Sequence, residues 1–199
     1  MATEMEKLEQ RCAGCGKCPL GRTRHKLVFG VGKVPGEVMF IGEGPGEQED
    51  LQGLPFVGPA GQLLDTMLAL IDLDRTKVYI ANMVKCRPPR NRDPQEDEME
   101  ACRSWLERQI ALVDPKIIVC LGRIAAKGLI DPEFRITRQH GEFFDIAGRR
   151  FTATYHPSAL LRDPAKRPEA FMDLRSIRQE IRERCTHTYD TQRSGYGAL

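Results

Sequence analysis

Residues 37–44, EVMFIGEG, decide the fold: an unbroken apolar run, Val38 to Ile41, ends in a glycine turn, which reads as a buried strand. Downstream, PAGQLLDTMLALI (59–71) sets Leu63, Leu64, Met67, Leu68 and Ile71 on one helical face, and KVYIANMV (77–84) reads as a second strand. QEDEMEACRSWLERQIALV (95–113) is a helix opened by acidic residues, which suit a helix N-terminus. KIIVCLG (116–122) is a third buried strand with Cys120 inside it, followed by the short helix RIAAKGLI (123–130). GEFFDIAGRRFTATYHP (141–157) reads as a hairpin, turning near Gly148, that leads into a last sheet strand; PEAFMDLRSIRQEIRERC (168–185) is a final amphipathic helix. Strands alternating with helices predict a three-layer α/β domain around a central, mostly parallel sheet of four strands.

The 199 residues suit one domain, taken as residues 1–185 with 1–11 as an N-terminal extension; the polar segment 186–199 is expected to be loose. Hydrophobic residues, at 41%, suffice for one core, and 29% charged residues argue against a membrane protein. No apolar run approaches the roughly 20 residues that span a bilayer. The polar N-terminus lacks a signal-like apolar stretch, so a cytoplasmic location is expected.

In open parallel sheets ligands bind outside the carboxyl ends of the strands. Three landmarks fall there: GEGPGE after the first strand, Asn82 with KCRPP at the second, and His156 after the last. The loop GEGPGEQEDLQGLPFVGPAG (42–61) fits neither phosphate-binding glycine fingerprint, and its Glu43, Glu47, Glu49 and Asp50 would repel phosphate. A flat polar ligand offering N–H groups fits better. Phe56 could stack on its ring or belong to the core. The Asn82 amide can read both a ring N–H and a neighbouring carbonyl. His156 sits in a turn restricted by Pro157.

Four cysteines, Cys15-x2-Cys18 and Cys86-x15-Cys102, gather thiols from distant parts of the chain, as a metal or iron–sulfur site does. Cys12-x2-Cys15 offers the same spacing as the first pair. Basic residues cluster at Arg22–Lys26, at Lys85–Arg92 and at Arg162–Arg167; they make one positive face if they converge and three solvated loops if not.

GEGPGEQED, GLPFVGPAGQLLD, ANMVKCRPPRNR and YHPSALLR, with the four cysteines, closely resemble the iron–sulfur uracil-DNA glycosylases known as family 4, from about Cys15 to about Arg182. The resemblance implies an α/β/α sandwich and a [4Fe–4S] cluster on Cys15, Cys18, Cys86 and Cys102. It implies a monomeric repair enzyme that flips uracil out of single- or double-stranded DNA and hydrolyses its N-glycosidic bond, leaving an abasic site. Carried over residue by residue, Glu43 with Gly44, Pro45 and Gly46 lines the reacting side. Glu49 forms the pocket wall, where it could exclude a thymine methyl; Phe56 stacks on the base; Asn82 reads its polar edge; and His156 donates toward O2. Asn91 belongs to the same region. Related enzymes often position the water with an Asp where this chain has Gly44. Arg87 and Arg162 are expected at DNA phosphates, and Leu160 or Leu161 as the wedge that fills the vacated stack, unless both are core. A neighbouring subgroup traps uracil-DNA covalently through a histidine on an inserted loop. The short segment after Cys86 has no histidine, which favours turnover over the alternative of a trapping or non-hydrolytic uracil-DNA binding protein.

Overall fold

Three apolar runs form the middle of the sheet because they can be buried on both faces. The structure, a computed structural model, describes residues 2–189. Its strands are β1 (Val31–Gly32), β2 (Val38–Gly42), β3 (Tyr79–Asn82), β4 (Ile117–Leu121), β5 (Phe143–Ile146) and β6 (Arg149–Thr154), in the order β1-β3-β2-β4-β6-β5. The pairs β2–β3, β2–β4 and β4–β6 are parallel, as the sequence predicts for four strands. Two antiparallel edge strands bring the sheet to six. Of these, β5 is the first arm of the expected hairpin, with Ala147 and Gly148 both at positive φ in its turn. The other, β1, is two residues long, too short to carry a periodic signal.

The helices are α1 (Glu4–Ala13), α2 (Leu20–Thr23), α3 (Glu47–Gln52), α4 (Pro59–Ala69), α5 (Glu96–Val113), α6 (Arg123–Leu129), α7 (Ile136–Gln139), α8 (Pro157–Arg162) and α9 (Arg167–Arg184). Alternation along each strand sorts them into two layers. Val38, Phe40, Ile80 and Val119 pack against Leu64 and Leu68 of α4 and Leu174, Ile177 and Ile181 of α9. Met39, Ile41, Ala81, Ile118 and Cys120 pack against Leu106 and Val113 of α5 and Ala125 and Ala126 of α6. Cys120 is a core residue.

Both chain ends depart from expectation. The N-terminal segment is no mere extension: Thr3 caps α1 through a capping box, and Leu8 and Cys12 are buried with Phe29. At the other end, Glu37 accepts hydrogen bonds from the backbone amides of Thr186 (2.9 Å) and His187 (2.8 Å) and from the Thr188 hydroxyl (2.8 Å). The Tyr189 hydroxyl donates to Ile71 O at 3.0 Å. Residues 186–189 are therefore tied down rather than loose; the remainder of the predicted tail lies outside the described residues. Among the described residues no helix is long and apolar enough to cross a membrane.

Candidate active site and thiol cavity

The carboxyl ends of β2, β3, β4 and β6 open on one cleft of about 580 Å³. It is lined by Glu43, Gly44, Pro45, Gly46, Glu49, Phe56, Asn82, Asn91, His156 and Arg162, so every sequence-predicted base-contacting residue meets there. Asn82 closes β3 and is 2% exposed, yet its Oδ1 has no hydrogen-bond partner among the described residues. A buried carbonyl oxygen left unpaired costs about 1–3 kcal/mol, so this one is poised for a ligand N–H. Asn82 and Phe56 approach Gly42 so closely that a Cβ there would lie 2.5 Å from Asn82 Oδ1 and 2.5 Å from Phe56 Cζ.

Phe56 fulfils both readings offered by the sequence: it belongs to the core and it lines the cleft. Its φ is +54°, a left-handed conformation that a side chain rarely adopts. Neighbouring groups hold it there. The Arg75 guanidinium donates to Pro55 O (2.8 Å) and to Phe56 O. Glu49 accepts from the amides of Val57 and Gly58, both at 2.8 Å, and from Gly46 at 3.1 Å. Glu49 thus stands in the wall, as expected, but its oxygens clamp the two arms of the glycine-rich loop together.

His156 caps α8. Its Nδ1 accepts from the Ser158 amide at 3.1 Å, so the neutral ring carries its proton on Nε2. Burial, reinforced by Arg162, pushes the imidazole down to about 4, so it is neutral at physiological pH. The ring lies 5.6 Å from that of Phe56, tilted by 32°. Glu43 is pushed up to about 7, first by burial and then by the carboxylate of Asp93, with Arg123 opposing. The sequence pattern singled out neither Asp93 nor Arg123, although both line the cleft and pair with each other. Arg123 opens the helix after β4, and the strand-end rule that located Asn82 and His156 would have reached it.

The two adjacent leucines separate. Leu160 is 2% exposed and packs in the core, whereas Leu161 is 41% exposed. Leu160 is therefore not available as a wedge. The basic clusters converge only in part. Arg92, Arg162 and Lys166 reach the cleft, and the Arg22–Lys26 segment does not. Several cations are already engaged within the protein. Arg87 donates to Asn91 Oδ1 at 2.8 Å and lies 3.8 Å from Glu47, Arg92 grips Glu98 with two nitrogens, and Lys85 is buried.

A second, smaller cavity is lined by Cys12, Cys15, Cys18, Cys86 and Cys102, with Lys85, Arg24 and Trp105. Arg24 Nη1 donates to Cys86 Sγ at 3.1 Å, and Trp105 Nε1 to Cys15 Sγ at 3.3 Å. Among the described residues no three or more His, Cys, Asp or Glu side chains are grouped to hold a single metal ion. The thiols ring a space beside a buried ammonium, a donor set suited to a larger anionic group. Lys85 Nζ also donates to Asn82 O at 2.7 Å, linking this cavity to the cleft. Cys12 lies in the cavity wall too, so the wall alone does not choose between the two N-terminal pairs.

Fold and cleft together define an α/β/α domain that can receive one flat, hydrogen-bonding ring at the carboxyl ends of its strands. A model of the uracil DNA glycosylase superfamily matches residues 29–176. The chain is 44% identical to the type-4 uracil-DNA glycosylase of Archaeoglobus fulgidus, over 87% of this chain and 91% of that protein. It is 43% identical to that of Thermotoga maritima, over 80% and 84% respectively. Likeness to a type-5 uracil-DNA glycosylase of Pyrobaculum aerophilum, 41% identical, extends over only 42% of this chain and 37% of that protein. The chain belongs to the uracil-DNA glycosylase superfamily and, within it, to the type-4 family.

Proposed function

We propose that this chain is a DNA repair glycosylase that excises uracil. The observation that carries the reading is the buried, unpartnered Asn82 Oδ1 at the back of a cleft walled by Phe56 and His156. A uracil swung out of the helix offers an N3–H donor to that oxygen, a π-face to Phe56 and a carbonyl O2 to the Nε2–H of His156. Extrusion costs a few kcal/mol, least for a mismatched or single-stranded base. Leu161, exposed on the helix whose Ser158, Ala159 and Arg162 line the cleft, fills the gap, while Arg162 and Lys166 meet flanking phosphates. Arg87 acts mainly through Asn91, which it orients.

The C1′–N1 bond then breaks, its electron pair leaves with uracil, and water attacks C1′. Negative charge gathers on O2, where a neutral, preorganised N–H donor stabilises it. A neutral histidine suits this role because it needs no proton taken from solution. Glu43, with the Gly44–Gly46 backbone, faces the reacting side. Glu49 shapes the wall against a thymine methyl by fixing the loop.

Cys15, Cys18, Cys86 and Cys102 would hold a [4Fe–4S] cluster, with Lys85 offsetting its charge and Cys12 outside the ligand set. When bound, the cluster would supply iron–thiolate bonds that cross-link the segment before α2 and helix α5 to the loop after β3; the hydrolysis itself has no redox step. We place the enzyme in the cytosol as a monomer, consistent with its free thiols.

The test is release of free base from uracil-containing oligonucleotides, single- and double-stranded, quantified by chromatography. The wild-type chain should release uracil and leave abasic sites in both. Asn82→Ala and His156→Ala should each lose about 10²-fold or more in rate with their circular dichroism unchanged. Tight binding without base release would make this a binding module instead.

A further inference from the structure

Lys85 is 1% exposed, although a lysine is almost never buried without a partner. Among the described residues its ammonium meets one carbonyl oxygen, Asn82 O at 2.7 Å, and no carboxylate. Lys85 also lines the thiol cavity with Cys12, Cys86 and Cys102. An ammonium taken out of water without a counter-charge is costly, so the balancing anion must come from that cavity: thiolates, or the cluster they would hold. The main chain around Lys85 is fixed. Past the end of β3, Met83 N donates to Gly42 O at 2.9 Å and Val84 N to Glu43 O at 3.2 Å, while Lys85 O accepts from Val28 N at 3.0 Å. From that anchor the side chain turns back three residues to the carbonyl of Asn82, whose amide carries the unpaired Oδ1. Asn82 therefore faces the cleft through its side chain and the thiol cavity through its carbonyl.

We propose that Lys85 is a positioning residue: held by the negative charge of the thiol cavity, its ammonium pins the end of β3 so that Asn82 Oδ1 stands where it can accept from the N3–H of uracil. The proposal rests on the glycosylase reading above. It gives the thiol cavity a route to base recognition in which no sulfur touches the base. A hydrogen bond from a charged donor is roughly twice as strong as a neutral one, so this pin outweighs an ordinary backbone contact. A displacement near 1 Å costs about 10²-fold in rate. With the Gly42 and Glu43 bonds still in place, losing the pin should move Asn82 by less than that. The expected effect is therefore about tenfold.

The test removes the ammonium from the iron-loaded protein. Lys85→Met keeps most of the stem and loses both donor and charge; iron content and circular dichroism verify that it is loaded and folded. Where Lys85→Met takes up no iron, Lys85→Gln, whose polar end stops one atom short of the lysine nitrogen, replaces it with the same expected effects. The variant should bind free uracil about tenfold more weakly in an NMR titration, and its kcat/KM on uracil-DNA should fall about tenfold. In an Asn82→Ala background the same substitution should cost less than about twofold in kcat/KM, because the side chain through which Lys85 acts is gone. A lysine that only supported the fold would cost the same in both backgrounds, and that result overturns the proposal, as does uracil affinity equal to wild type. Crystal structures of the base-free proteins separate the two levels. Asn82 Oδ1 displaced by the substitution, in a chain whose wild type releases no uracil, would refute the glycosylase reading and leave the pin standing. Oδ1 unmoved would overturn the pin whatever the activity.

Discussion

Adding one methyl group at Gly42 should damage catalysis more than it damages the fold. Gly42 ends β2 beneath the two side chains proposed to hold the base. An alanine Cβ there would sit 2.5 Å from both Asn82 Oδ1 and Phe56 Cζ, where ordinary contact begins at 3.4 Å. Each must therefore withdraw by 3.4 − 2.5, or about 0.9 Å. Overpacking of this kind costs about 1–3 kcal/mol, which in a chain of this size lowers Tm by roughly 2–12 °C. A displacement near 1 Å of the groups that fix the reacting geometry costs about 10²-fold in rate, equivalent to about 2.7 kcal/mol of transition-state stabilisation. The assay pairs kcat/KM for uracil release with thermal unfolding of Gly42→Ala. The reasoning requires a loss near two orders of magnitude in a protein that is still folded at the assay temperature. Wild-type kcat/KM, with or without a lower Tm, would refute the claim that Asn82 and Phe56 must stand where they do.

Burial holds His156 at about 4, so ¹⁵N NMR should find it neutral, with its proton on Nε2, from pH 8 down to pH 5; a midpoint near the ordinary histidine value of 6.5 would contradict this. Because its folded value is depressed, the stability it contributes is full above 6.5 and declines as pH falls from there toward 4. Burial alone would raise the Glu37 carboxyl, but hydrogen bonds from Lys116 and from the amides of His187 and Thr186 outweigh it and hold Glu37 well below the ordinary carboxylate range. Its stabilisation is present above 4.5 and lost as pH falls below that value, so Glu37→Gln should lower Tm by several degrees at pH 7 and by less at pH 3. Protein purified without oxygen should be brown and contain iron. Cys102→Ser should lose both, while Cys185→Ser, whose sulfur faces Glu37 O at 4.0 Å, should keep them, as iron analysis will decide.

The middle of the sheet was legible because parallel strands covered on both faces must be apolar throughout, and Val38–Ile41 and Ile117–Leu121 are. Asn82 and His156 could be found because ligands of open parallel sheets bind outside the carboxyl ends of the strands, where both stand. What the sequence concealed was the direction in which side chains turn. Leu160 and Leu161 are adjacent and chemically alike, and only the packing of α8 on the core decides that the first is buried. Lys85 and Arg24 count as basic surface in a charge pattern, yet one ammonium is buried and one guanidinium reaches a thiol. The Asp93–Arg123 pair joins the loop before α5 to the first turn of α6, 30 residues away, a contact with no local signature. Glu49 was legible as a wall but not as a clamp, because its partners are backbone amides that no side-chain pattern records.

The most direct measurement is a crystal structure of the protein soaked with uracil. The account predicts the ring seated against Phe56, with N3 about 2.9 Å from Asn82 Oδ1 and O2 within reach of His156 Nε2. A base bound elsewhere, or one bound here while that oxygen stays unpaired, would contradict it.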